Sequence, residues 1–325
     1  IAAYSANQIK IQAEDQRIPL MGVTGSFVFA AQMINFTIPA TGSSGHLAGG
    51  LLLAVLLGPH AAFLTMAAVL LIQALFFGDG GLLAYGCNVI NLGFFPSFVA
   101  YPLIYQRWTR RGLDAKTLFQ ATLLACVLSL QLGSAGVVLE TLISGRTQLP
   151  FAAFFLVMQP IHLAIGLVEG LVTAAVLRFL WEARPELLDS AHQEQPGSKR
   201  SYRKVAAGFL VTALLLGGLF SWYASEHPDG LEWSIQRITG ETELSEPGGE
   251  IHGTAAWIQS FTAILPDYQI PKDASGGGQD GTGLAGILGG IMTLALVTVI
   301  GLLIRLAKGK AKRISRKSRS ESKDA

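Results

Sequence analysis

The sequence predicts an all-α protein that crosses a membrane several times. Of its 325 residues, 50% are hydrophobic and only 14% are charged, and the mean hydropathy is +0.44. Soluble domains usually carry about 25% charged residues. The charges are also bunched into short segments that are separated by long uncharged stretches. This composition excludes an ordinary water-soluble globular protein, and the chain has no basic domain for nucleic acid apart from the short tail after residue 301.

A helix needs about 20 apolar residues to cross roughly 30 Å of hydrocarbon. The candidate spans are Met21–Thr37, Leu47–Leu57, Ala61–Phe77, Cys87–Tyr105, Leu118–Val138, Phe151–Leu180, Val205–Tyr223 and Leu284–Leu306. The second and third form one uncharged block, which we divide at Pro59 because a proline breaks a helix. The opening residues Ile1–Ile9 resemble the end of a further helix, and we therefore expect the sequence to be truncated at its N-terminus.

The lysines and arginines indicate how these spans are oriented. If Lys10 and Arg17 face the cytoplasm and each span crosses once, 21 of the 24 basic residues fall in cytoplasmic segments. The exceptions are Arg146, Arg237 and Lys272. The positive-inside rule favours this arrangement. It predicts an outside N-terminus, seven spans up to about residue 180, two further spans, and a basic cytoplasmic tail.

Composition divides the chain into two membrane units, residues 1–181 and 205–325. The stretch 182–204 between them is polar and contains prolines and a glycine, which is typical of a linker. In the orientation above this linker is cytoplasmic. Residues 225–282 form an acidic segment outside the membrane, and it ends in a glycine-rich flexible connector.

The small-residue stretch 41–50 holds the first candidate site residue, His46, and this topology places the stretch at the outer membrane face. Ser43 and Ser44 beside it are small, so the backbone could approach another element closely. An imidazole is a good ligand for Ni²⁺, Co²⁺, Zn²⁺ or Cu²⁺. The alternative is a histidine at a helix start that Ser43 or Ser44 caps.

The span Phe151–Leu180 carries a polar face. Spacings of 4, 7 and 11 place four residues on one side of the helix: His162, Gly166, Glu169 and Thr173. Ionisable groups inside a membrane are costly and are often functional, so one interpretation is a polar seam for ion passage or ligand orientation. The other is a helix–helix contact in which glycines allow close packing and Glu169 is protonated or hydrogen-bonded.

Asn88 is a third candidate, at the outer end of the span Cys87–Tyr105 and on the same side as His46. It could hydrogen-bond to a metal ligand and so orient that ligand. It could equally cap the helix that follows the turn residues 78–81.

Motifs of ATP hydrolysis and of common hydrolytic chemistry are missing from the sequence. It has no Walker A pattern G-x-x-x-x-G-K-[ST], no H-E-x-x-H zinc motif, and no G-x-S-x-G elbow with a plausible base. The sequence therefore predicts no enzyme and no ATP site, and any ATP hydrolysis would belong to another subunit.

Several motifs together resemble the CbiM/NikM family, the substrate-specificity components of energy-coupling factor (ECF) transporters for cobalt and nickel. In chain order they are Pro19–Val23, Ala31–Phe36, Gly42–His46, Leu57–Pro59, Gln73–Gly81, Gly86–Val89 and His162–Gly170. The run Pro228–Trp233 resembles the PDGLE domain, which is similar to the small accessory membrane component NikN. The chain thus looks like a fusion of a metal-binding component and an accessory component.

The resemblance implies a seven-helix bundle, with its first helix truncated here, followed by two further spans. It also implies that Ni²⁺ or Co²⁺ is held by nitrogen: an N-terminal amine, the backbone nitrogen and imidazole of a histidine at position two, and the histidine matching His46. The Met-His N-terminus is absent from this sequence. Ser43, Ser44 and Asn88 would support the site, whereas the motif assigns no role to His162 or Glu169.

The implied partners are an ECF transmembrane coupling (T) subunit and ATPase subunits in a bacterial inner membrane, where basic cytoplasmic loops would face these subunits or anionic lipid. The imported metal could serve cobalamin biosynthesis. Three alternatives remain open at this point: a metal facilitator that needs no ATPase, an intramembrane metalloenzyme that uses His162 and Glu169, and a purely structural accessory protein.

Overall fold

The computed structural model describes residues 1–9, 17–145, 149–185, 188, 199–225, 227–242, 244, 249–270 and 279–321. The longer helices in this part of the chain are α1 (Ala2–Gln8), α2 (Arg17–Gln32), α3 (Gly50–Leu57), α4 (Pro59–Phe77), α5 (Tyr85–Thr109), α6 (Ala115–Ser144), α7 (Phe151–Ala183), α8 (Lys199–Gly218), α9 (Gly230–Thr239), α10 (Glu250–Thr262) and α11 (Thr282–Glu321), and two short 3-10 helices are Phe220–Tyr223 and Pro266–Tyr268. Two antiparallel pairs of short strands accompany them: β1 (Phe36–Ile38) with β2 (Ser43–Gly45), and β3 (Gln269–Ile270) with β4 (Gln279–Asp280).

The helices confirm a multi-pass membrane protein. Within the described residues, five helices are long and apolar enough to cross a bilayer: α4, α5, α6, α7 and the first 28 residues of α11. Two shorter apolar helices, Ile18–Gln32 and Lys204–Gly218, coincide with two more of the predicted spans. The predicted linker is partly helical, because α8 begins at Lys199, and most of its remaining residues lie outside the described part of the chain.

The predicted span Leu47–Leu57 contains only a short helix. The helix there, α3, begins at Gly50 and has eight residues, so it rises about 12 Å, less than half of the hydrocarbon thickness. Left-handed backbone at Gly49 (φ +74°) precedes it, and Gly58 (φ +78°) separates it from α4. Every residue from Gly50 to Leu56 is buried. The helix is therefore an internal half-helix rather than a lipid-facing span.

The two predicted units pack into one bundle. Helix α6 lies between α5 and α7, α3 packs against α4 and α5, and α2 contacts α4, α8 and α11. The helices of the second unit thus cover a face of the first. Glycines permit the closest approaches: a Cβ placed on Gly286 of α11 would lie 2.7 Å from the Cα of Gly217 in α8.

We expect the substitution Gly286→Ala to destabilise the protein by about 1–3 kcal/mol, because the added methyl group meets backbone rather than a movable side chain. Thermal unfolding in detergent measures the effect. Gly208→Ala is the matched control, since Gly208 is also in a helix and a methyl group added there would have nothing within 4 Å. Equal stability of the two variants would contradict close packing of α8 on α11.

Candidate functional site

The stretch that precedes α3 forms a buried hairpin. Strands β1 and β2 pair antiparallel, and Ser43 and Ser44 in β2 are fully buried. A Cβ on Gly45 would lie 2.6 Å from Cγ1 of Ile165 in α7. The hairpin therefore needs a glycine at this position to pack directly against α7.

Glu169 holds the chain immediately after this hairpin. Its carboxylate lies near the middle of the 33-residue α7 and its side chain is 1% exposed. The backbone N–H of Ala48 donates to Oε2 and that of Gly49 donates to Oε1, both at 3.0 Å. A carboxylate here also complements the positive end of the α3 dipole. One buried acid thus fixes both the loop and the start of α3.

Gln32 also holds this loop, and Gln73 in turn holds Gln32. The Nε2 of Gln32 donates to the carbonyl of Ala48 at 3.0 Å, and the Nε2 of Gln73 donates to Oε1 of Gln32 at 2.9 Å. Both glutamines are buried. Sequence reasoning missed them, although two amides inside apolar helices are a signal of the same kind as Glu169, because polar groups inside a membrane need partners.

His46 lies two residues before this anchored backbone and is half-buried. Its Nδ1 is 3.3 Å from the carbonyl oxygen of Leu47. A carbonyl can accept but not donate, so this contact requires a hydrogen on Nδ1, and in a neutral imidazole Nε2 then keeps its lone pair. This arrangement suits capture of a cation by Nε2.

The helix-cap interpretation of the two serines is wrong, because Ser43 and Ser44 are in a strand and α3 starts at Gly50. Ser43 donates through Oγ to the carbonyl of its neighbour Ser44 at 3.0 Å. The hairpin also reaches deeper than the expected outer face, since Glu169 meets the loop near the middle of α7. The hairpin can lie at this depth because its backbone polar groups form hydrogen bonds within the protein.

Ser44 joins the hairpin to the second unit. Its Oγ donates to the carbonyl of His227 at 2.7 Å, and its N–H donates to the carbonyl of Pro228 at 2.8 Å. Nearby, the indole Nε1 of Trp233 donates to the carbonyl of Thr41 at 3.0 Å. The run Pro228–Trp233 therefore docks on the hairpin that precedes His46.

Within this run, Asp229 and Glu232 form a capping box at the start of α9. The box stabilises the helix end locally, because it satisfies backbone N–H groups that would otherwise lack partners. Gly230 follows Asp229 and faces α7: a Cβ there would lie 3.1 Å from Cε1 of His162. The His162 ring is thus packed under the second unit, and its Nδ1 donates to the carbonyl of Met158 at 2.9 Å.

A second contact joins the two units at the end of α4. The hydroxyl of Tyr268 donates to Oδ2 of Asp79, and its ring stacks on Phe77 with centroids 5.1 Å apart. The N–H of Ile264 donates to the carbonyl of Phe76 at 2.9 Å. Sequence reasoning missed this contact because the paired residues are far apart in the chain.

The remaining polar face of α7 packs on α6. An added Cβ would lie 3.2 Å from the Cα of Val127 at Gly166, and 3.0 Å from the Cα of Leu123 at Gly170. Thr173 is buried as well. The helix–helix interpretation explains these positions, while Glu169 on the same face holds the His46 loop.

Asn88 does not cap a helix, because α5 already begins at Tyr85. Its Nδ2 lies over Gly80 in the preceding loop, in the space that a Cβ on this glycine would occupy. Asn88 therefore packs on the turn beside Asp79. The side chains of Glu169 and Gln32, in contrast, hydrogen-bond directly to the His46 loop.

The described residues contain no group of three or more His, Cys, Asp or Glu side chains arranged to hold a metal ion. His46 thus offers a single imidazole on a rigid loop. A tightly bound transition metal needs further ligands beyond one imidazole.

Comparison with known families accounts for most of the chain. Residues 1–187 match the model of the CbiM family, described as the cobalt uptake substrate-specific transmembrane region. The chain belongs to the CbiM family. Residues 203–306 match the PDGLE domain.

Curated relatives cover both parts of this CbiM-family chain. A putative fused nickel transport protein NikMN of Archaeoglobus fulgidus is 33% identical and aligns over 85% of this chain and 83% of its own length. A probable fused nickel transport protein LarMN of Lactiplantibacillus plantarum is 32% identical over 81% and 80% of the two chains. A cobalt transport protein CbiM of Sorangium cellulosum is 33% identical over 53% of this chain and 76% of its own.

We expect Glu169→Gln to lower the free energy of unfolding by about 1–3 kcal/mol, because an amide has one oxygen and leaves one buried N–H of Ala48 or Gly49 without an acceptor. Thermal unfolding of the purified protein measures the loss. Glu182→Gln is the control: Glu182 pairs with Arg178 at 2.9 Å, but its side chain is 58% exposed, so we expect a change below about 1 kcal/mol. Equal losses in both variants would contradict the anchoring role of Glu169.

Proposed function

We propose that this chain is the substrate-binding membrane component of an ATP-driven ECF importer for Ni²⁺ or Co²⁺. The observation that carries the proposal is the loop held by Glu169 and Gln32, on which His46 presents its imidazole with Nδ1 3.3 Å from the carbonyl oxygen of Leu47. Membership of the CbiM family supports it. So do the relatives, which are named as nickel and cobalt transport proteins.

In this proposal His46 is one of several nitrogen ligands. The resemblance supplies the others from a Met-His N-terminus, which this sequence does not contain. Four nitrogens in a plane suit Ni²⁺ well, and Co²⁺ accepts the same ligand type. Glu169 acts as a positioning residue through the loop backbone, Ser44 anchors the second unit, and Ser43 and Asn88 support the neighbouring backbone.

We further propose that the segment 225–282 covers the loaded site. Its Pro228–Trp233 run lies on the hairpin, and its Tyr268 is bonded to Asp79. Excluding water from a metal site strengthens the electrostatic interactions inside it. Opening of this segment would admit the ion from outside, and closing would retain it.

The proposed assembly contains a T subunit and ATPase subunits, because the sequence has no ATP-binding motif of its own. The units 1–181 and 205–325 are joined by the linker 182–204 in the cytoplasm, with the N-terminus and segment 225–282 outside a bacterial inner membrane. The basic loops and tail would then face the partner subunits or anionic lipid. Supply of cobalt for cobalamin synthesis is the corresponding physiological role if cobalt is the cargo.

Metal titration tests the cargo. We expect the protein with its natural N-terminus to bind close to one Ni²⁺ or Co²⁺ per chain and His46→Ala to lose this binding, because a nitrogen ligand is removed. His252→Ala is the matched control: it also removes one imidazole, but His252 lies in α10 and not in the loop that carries His46. Unchanged binding by His46→Ala would remove this residue from the site, and absence of binding by every variant would contradict metal capture.

Energy coupling is tested with the same variants in sealed vesicles. Uptake should require ATP, the T subunit and the ATPases, and His46→Ala should abolish it. Uptake by the chain alone without ATP would instead favour a facilitator.

A further inference from the structure

Helix α10 has an apolar face that no described residue covers. Trp257 and Phe261 are 63% and 74% exposed, and Ile264 just after the helix is 56% exposed. The spacing of four residues places Trp257 and Phe261 on one face of the helix, and Ile264 follows its C-terminal end. The rings of Trp257 and Phe261 contact each other edge to face, with centroids 5.0 Å apart. Three large apolar side chains in water would be unfavourable.

The opposite face of α10 attaches the helix to the end of a membrane span. Ala255 is buried on this side, and Nε2 of Gln259 donates to the carbonyl of Ala74 at 3.2 Å. The N–H of Ile264 donates to the carbonyl of Phe76 at 2.9 Å. Ala74 and Phe76 belong to the last turn of α4, which is long enough to cross the bilayer. Helix α10 therefore lies at the depth where the hydrocarbon meets the water.

A second aromatic pair occurs where another membrane helix ends. Trp222 and Tyr223 follow α8 closely and are 71% and 82% exposed. Trp and Tyr concentrate at the water–membrane boundary, where an amphipathic ring is stabilised at the level of the lipid headgroups. Both positions thus indicate the same boundary on the side of segment 225–282.

The charges of α10 agree with this placement. Between Glu250 and Thr262 the helix has one acidic residue, Glu250 in the first turn, and no lysine or arginine. Gly253 and Ser260 flank the two aromatic residues and are small. Contact with lipid would therefore desolvate few polar groups.

We propose that α10 is an interfacial helix whose exposed Trp257 and Phe261, together with Ile264 just after its end, insert into the adjoining lipid leaflet, which is the outer leaflet in the proposed orientation. Interfacial helices bury an apolar face at the boundary between headgroups and acyl chains. Insertion would anchor the segment that carries Tyr268, and through it the contact with Asp79. The inference depends on the membrane fold and not on the identity of the transported ion.

Tryptophan fluorescence in proteoliposomes tests the proposal. Emission of the wild-type protein is compared with that of Trp257→Phe, and the difference isolates the signal of Trp257. We expect lipids brominated near the carbonyl end of the acyl chain to quench this signal strongly. Lipids brominated near the methyl end should quench it less, and aqueous iodide should quench it weakly.

Trp233→Phe is the matched control, because the Trp233 indole donates to Thr41 within the protein. The signal lost in this variant should not respond to brominated lipid. Strong quenching of the Trp257 signal by iodide without quenching by bromine would overturn the proposal in favour of a water-facing helix. Protection from both quenchers would overturn it in favour of a face covered by protein, such as a second copy or a partner subunit.

Discussion

The bidentate contact between Glu169 and the N–H groups of Ala48 and Gly49 is the interaction on which the site depends. A carboxylate inside a membrane bundle is unfavourable unless its charge is stabilised by hydrogen bonds, and the start of a buried half-helix supplies two N–H donors. The contact satisfies both sides, because these backbone N–H groups also need an acceptor in an apolar bundle. Its consequence is a fixed backbone two residues after His46, so the imidazole is presented from a rigid support rather than from a mobile surface loop. Rigidity of this kind matters for the metal ligand that we propose His46 to be, since geometry distinguishes Ni²⁺ from other divalent ions more than raw affinity does.

The second unit also supports the site, because it packs against the first unit and is not joined to it by the linker alone. Its membrane helices pack against α2, and residues between these two helices contact the hairpin at Ser44 and the end of α4 at Asp79. The two contacts lie on either side of the His46 loop in the chain. A segment held at two points can cover a site when both contacts form and expose it when one opens. The fusion of the two units in one chain keeps this segment at high local concentration beside the hairpin.

Much of the fold could be predicted from composition and charge placement. Uncharged stretches of about 20 residues mark the spans, and the helices of the structure coincide with seven of the eight predicted segments because hydrophobic length is a strong physical requirement of the bilayer. The eighth, Leu47–Leu57, holds only an eight-residue helix, because hydropathy does not distinguish a lipid-facing span from a half-helix buried in protein. Local sequence also identified Glu169 and His46 as residues to explain, since polar groups in apolar surroundings need partners. Their partners could not be predicted: Ala48 and Gly49 contribute backbone groups, which carry no sequence signal, and Asp79–Tyr268 joins positions 189 residues apart.

Amide hydrogen exchange at Ala48 and Gly49 tests the central claim most directly, with the wild-type protein and Glu169→Gln compared in lipid nanodiscs. Exchange of a buried N–H requires its hydrogen bond to open. We predict slow exchange at both amides in the wild type and a large acceleration at one or both in the variant, with the amides of α6 unchanged. Fast exchange in the wild type, or equal protection in the variant, would show that Glu169 does not hold the loop that carries His46.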